Sequence, residues 1–113
     1  MKTRHEVLLW GAQRMSAMVL ALCVIVHLFT IVYAVRHGLS AAEILGRTRG
    51  NYGWFAFYAL FVAAIAVHAP LGLRTILSET LGWRGMALEA PVLVIGVVLA
   101  LWGMRAVLAV FVA

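Results

Sequence analysis

Charge is scarce in this chain: only 12% of its 113 residues are Asp, Glu, Lys or Arg, about half the share of an ordinary soluble domain. There is a single cysteine, Cys23, and it falls in the middle of an apolar run, which excludes a disulfide framework. No solenoid-type repeat and no low-complexity segment interrupts the chain. A cleaved signal peptide needs a short apolar core followed by small residues at a cut site. The first apolar run here is full length and flanked by polar segments, so it reads as structure. The net charge of +5 raises the question of nucleic acid. The cations sit at the ends of apolar spans instead of interleaving with aromatics on a soluble face, and no nucleic-acid surface is expected.

What is present is apolar. Hydrophobic residues make up 65% of the chain and the mean hydropathy is +1.05. Two long apolar runs cover 15–35 and 52–73, and a third begins near Ala90 and continues to the end with one interruption at Arg105. At about 1.5 Å per residue, each is long enough to cross a hydrocarbon core of roughly 30 Å. The expectation is an all-α chain forming one transmembrane domain over 1–113, with helices at about 15–35, 52–73 and 90–112. Lys2, Arg4, Arg14, Arg74 and Arg84 then fall on one side of the membrane, against Arg36, Arg47 and Arg49 on the other. That small excess favours a cytoplasmic amino terminus.

The connections are short. After the first span, Ser40 and Glu43 have the spacing of a capping box, so a short interfacial helix is expected there. Tyr52 and Trp54 are placed to anchor the second span at headgroup level. Gly82 and Gly85 break the chain, and Glu89 before Pro91 suits the start of the third helix, where a carboxylate meets the positive end of the dipole. Three helices bury little surface among themselves, which implies a partner chain.

His27 lies inside the first span and His68 inside the second. Ionisable groups within a membrane are costly and face protein or a cofactor. One reading is structural, a neutral histidine donating a hydrogen bond to a neighbouring helix. The other is a ligand for haem iron, for which neutral imidazole is well suited. His68 has Ala64 and Gly72 at four-residue spacing on its own face; a flat macrocycle could lie against them, and such residues also let helices approach closely. Pro70 cannot donate to the carbonyl of Ala66. Arg74 follows His68 by roughly 9 Å of helix rise, a reach suited to a haem propionate or a quinone oxygen, or else to a snorkelling cation. His27 lies roughly 20 Å beyond Arg14, a different layer from His68. One iron cannot take both rings, and each needs a further ligand from elsewhere. His5 and His37 sit at span ends, where solvation is expected.

The stretch "RMSA" opening the first span and "HAPLGLR" in the second, together with three spans, resemble the cytochrome b membrane-anchor subunit of succinate dehydrogenases and fumarate reductases. The resemblance covers most of the chain. It implies a non-catalytic, haem b-binding helix bundle completed by a second anchor chain, with a flavoprotein and an iron-sulfur subunit docked on it, in a bacterial or archaeal cytoplasmic membrane. It implies that His68 is an axial haem ligand, that Arg14 lies near the quinone site with Ser16 in the same motif, and that Arg74 serves the cofactor. A histidine at the place of His27 is similar to anchors that carry two haems, one per leaflet, so one haem or two are implied. Three residues depart from the pattern: Gln13 and Thr75 stand where relatives often have histidine, and Trp10 where a polar residue is common. Two other readings remain: a b-type cytochrome subunit of another respiratory oxidoreductase, and a haem-free scaffold or transporter whose histidines relay protons.

Overall fold

The computed structural model describes residues 3–113; Lys2, counted above among the cations of one side, lies outside them. Four helices follow one another: α1 (Arg4–Arg36), α2 (Ala41–Thr48), α3 (Tyr52–Thr80) and α4 (Met86–Val112). No strand occurs among the described residues. Three of the helices, α1, α3 and α4, are long and apolar enough to cross a membrane. The chain is therefore a multi-pass membrane protein, and α2 is a short helix between the first two spans, where one was anticipated.

The helices overrun the apolar runs that announced them. An apolar run marks the hydrocarbon layer, whereas a helix ends where its backbone groups find caps. At the start of α1, the Thr3 hydroxyl accepts from the Glu6 amide and the Glu6 carboxylate accepts from the Thr3 amide, a reciprocal cap eleven residues before the apolar run begins. Ser40 caps α2 by accepting from the Glu43 amide, and Asn51 caps α3 by accepting from the Trp54 amide. α3 passes through Pro70 without ending. α4 starts at Met86, behind Gly85, so Pro91 lies inside the helix and not at its first position.

α3 is the central element. It packs on α1 along one side and on α4 along the other, and α2 touches the last turns of α4. The near end of the bundle holds the N-terminus of α1 and the α3–α4 turn; the far end holds α2 and the C-terminus of α4. At the far end the Thr48 hydroxyl donates to the Val110 carbonyl, and the Gly50 amide donates to the Phe111 carbonyl from a positive-φ turn. Tyr52 and Phe55 pack on Phe111 at the same level.

The α3–α4 seam is close because α4 presents glycine there. A Cβ on Gly103 would lie 2.5 Å from Cγ1 of Val62, and one on Gly96 would lie 3.2 Å from Cγ of Pro70. Backbones approach at small residues because dispersion, with no hydrophobic drive in lipid, is what holds helices together there. Burial is otherwise sparse: Cys23, Ala64, Leu88, Val92 and Val107 are the buried apolar residues, and Phe29 and Trp102 are each 72% exposed within the chain.

The seam predicts a specific fault. Gly103→Val should overpack against Val62, lowering the thermal midpoint by several degrees through a destabilisation of about 1–3 kcal/mol. Val62→Ala added to it should recover most of the loss. Gly46→Ala, at a position with nothing within 4 Å, should leave the midpoint where it was. Thermal unfolding of the purified variants checks the order.

Candidate functional site

The two span histidines lie along the α1–α3 seam, at different depths. His68 is half-buried, and its Nδ1 lies 3.4 Å from the hydroxyl of Ser16, a residue only 7% exposed. That hydroxyl has one proton, and it donates to the Gln13 carbonyl one turn earlier, at 3.0 Å. Toward His68, Ser16 is therefore the acceptor. In that arrangement the ring proton is on Nδ1 and Nε2 keeps its lone pair, for which no partner occurs among the described residues.

The residues spaced four apart from His68 are already engaged by protein. Ala64 is buried, and Gly72 faces Gln13, whose Nε2 would stand 3.5 Å from a Cβ placed there. The small face of α3 therefore serves close approach to α1. The carbonyl of Ala66, which Pro70 cannot serve, faces Gly96 of α4.

A cavity of about 450 Å3 opens at the near end, between α1 and α3, lined by Glu6, Trp10, Gln13, Arg74 and Glu79 among others. Oε1 of Gln13 is buried there without a hydrogen-bond partner. Arg74 donates through Nε and Nη2, at 3.0 and 2.9 Å, to one oxygen of Glu89 at the start of α4. Sequence spacing missed that pair, because it depends on the α3–α4 turn bringing two helix ends together across fifteen residues. A guanidinium has five N–H groups, so three remain for a ligand. Arg14 does not line this cavity. It is exposed and lies 5.1 Å from the ring centroid of Trp10, which does.

His27 lines a second cavity, of about 810 Å3, toward the far end among α1, α2 and α3. Its Nδ1 lies 3.4 Å from the hydroxyl of Tyr58, and its ring meets Tyr58 and Phe61 edge-on. Tyr58 was not foreseen; its position on α3 carries no motif. Arg47 of α2 caps the cavity over the ring of Tyr33, against which the exposed His37 stacks. This volume suits a bound ligand of drug or cofactor size.

The residues present suit a haem in donor chemistry: two imidazoles, each with a hydroxyl 3.4 Å from Nδ1. No group of three His, Cys, Asp or Glu that could hold a metal ion occurs among the described residues. Each ring would offer a haem one nitrogen.

No curated protein and no solved structure matches the chain. Residues 1–111 match the model of one family, described as the succinate dehydrogenase/fumarate reductase transmembrane subunit. With that match covering nearly the whole length, and with three helices long and apolar enough to cross a membrane, the chain belongs to the succinate dehydrogenase/fumarate reductase transmembrane subunit family.

Proposed function

We propose that this subunit holds haem b through Nε2 of His68, at an interface completed by a second membrane-anchor chain, and that it helps shape the quinone site where the flavoprotein and iron-sulfur subunits dock. The observation that carries the reading is the Ser16 hydroxyl, already spent on the Gln13 carbonyl and therefore an acceptor for Nδ1–H of His68. A ring so held presents its other nitrogen in one orientation, as metal-bound histidines are held by their outer partners. The haem supplies one-electron storage between the iron-sulfur subunit and the quinone. The protein supplies position, exclusion of water and fixed dipoles.

His27 would hold a second haem toward the far end. The 810 Å3 cavity beside it and the Tyr58 hydroxyl at Nδ1 support a second haem there. Replacing His68 with alanine should remove one haem per complex while the helices remain inserted, and His27→Ala should remove a different one, with its own absorbance maximum. Ser16→Ala should keep the haem but weaken its retention about 10-fold or more, the usual cost of losing an outer partner. Pyridine haemochrome counts per complex, with redox difference spectra, separate these outcomes. An unchanged haem complement in His68→Ala sinks the reading, and one haem unaffected by His27→Ala makes that histidine structural.

The near-end cavity is the place for the quinone head group, and the near end is then the cytoplasmic side. The N–H groups of Arg74 not engaged by Glu89 can donate to a quinone carbonyl, and Gln13 lines the same cavity. Reduction of a quinone to a quinol consumes two electrons and two protons. Glu6 and Glu79, exposed on the cavity wall, are titratable groups on the way from water. Arg14, stacked on Trp10 at the mouth, adds a cation that favours the charge developing on the head group. A lysine there keeps the charge and the topology but loses the planar fork. Arg14→Lys should therefore lower quinone reduction severalfold while haem content and succinate oxidation with an artificial acceptor persist; unchanged quinone reduction leaves Arg14 with a topological role only.

A further inference from the structure

Arg105 is a cation inside the third span and plays no part in either site. It is exposed, and among the described residues no carboxylate pairs with it. α4 packs on α3 through the face that carries Gly96, Gly103 and Val107. Arg105 is two residues from both Gly103 and Val107, roughly 160° around the helix from each, so it lies on the opposite face. That face is apolar along its length: Val94, Val98, Leu101, Leu108 and Val112 are all exposed, at alternating spacings of four and three with Arg105 in the series. This is the repeat along which a second helix packs at a shallow angle.

We propose that Arg105 pairs with a carboxylate carried at the same depth by a membrane-spanning helix of another subunit, and that the exposed face of α4 is where that helix packs. The inference rests on the reading of this chain as one of two membrane subunits. The depth is fixed from both ends. Glu89, tied to Arg74 at the near end, is sixteen residues away, roughly 24 Å of rise; Val110, tied to Thr48 at the far end, is five residues away, roughly 7.5 Å. The guanidinium is therefore nearer the far surface. Yet Cα–Cβ bonds in a helix tilt toward its N-terminus, which for α4 is the near end. The side chain leans away from the closer headgroups, and reaching them means folding back over its own helix. An arginine inside a span faces protein and pairs there.

The partner is a different chain. This sequence has no aspartate, and its four glutamates are Glu6, Glu43, Glu79 and Glu89. Three of these lie at the near end, and Glu43 lies on α2, bonded to Ser40. A second copy would bring another arginine and no acid to that level. Nor does a haem on His27 supply the anion, because the cavity beside that ring is lined from α1, α2 and α3, whereas Arg105 points away from α3.

The test uses the intact complex. Photo-crosslinking residues replace Leu101 and Leu108 in turn, with Ile25, on the face of α1 opposite Cys23 and His27, as a control, and mass spectrometry identifies what is captured. Leu101 and Leu108 should capture a membrane-spanning peptide of another subunit with an Asp or Glu within a turn of the crosslink. In parallel, Arg105→Lys should retain that subunit within about twofold, while Arg105→Leu and Arg105→Glu should lose it at least tenfold with insertion of this chain unchanged, since the orphaned acid is costly in lipid. Capture of phospholipid alone, or of a helix without an acid, overturns the pairing, as does full retention in Arg105→Leu. Haem is measured on the same wild-type preparation. A haem-bearing complex that fails the crosslink test removes the Arg105 pairing and leaves the haem reading standing; an acidic helix captured by a haem-free complex does the reverse.

Discussion

No water is available inside the hydrocarbon layer, so every polar group placed there has to find its partner within protein or cofactor. This constraint explains most of the local structure. Backbone groups are satisfied by continuous helices, and hydroxyls by bending back to carbonyls one turn earlier: Ser16 to Gln13, Thr30 to His27, Thr75 to Leu71. Once these are subtracted, little polar capacity remains unspent. What remains is Nε2 of His68, the ring of His27 beside its cavity, the buried Oε1 of Gln13 and the guanidinium of Arg105. Under the proposed function, the two histidines and Arg105 are where a cofactor or another chain completes the structure.

Packing determines where those completions can occur. Because α3 sits between α1 and α4, one of its seams carries the histidines and the other carries the glycines. Along its length the glycine seam packs by close apolar contact, with the Arg74–Glu89 pair closing its near end, which leaves the histidine seam free to carry hydroxyl–imidazole contacts and cavities. The outward faces stay apolar and uncovered, as expected of a subunit whose surroundings are lipid and other chains. Association with other subunits of a succinate dehydrogenase or fumarate reductase follows from the family.

Much of this was legible in the sequence, where the signal was local. Three apolar runs announced three helices, Ser40 announced α2, and counting helix rise placed the two histidines in different layers. Helix ends were less legible: the cap of Thr3 and Glu6 lies outside the apolar run, and Gly85, not the region of Glu89 and Pro91, precedes α4. Contacts between helices were not legible at all. Nothing in the spacing shows that Gly72 faces Gln13, that Tyr58 reaches His27, or that Arg74 is engaged by Glu89. Each depends on the rotation and offset of two helices, which small differences in packing decide.

The central claim of the proposed function is that this chain would give each haem one imidazole and that a partner chain would complete its coordination. Pulsed electron paramagnetic resonance of the ferric complex, assembled with 15N-histidine in this subunit alone, tests it directly. The account predicts one strongly coupled 15N imidazole on each low-spin haem, with the opposite axial ligand unlabelled. Iron coupled to no labelled histidine, or to two on the same haem, would contradict it.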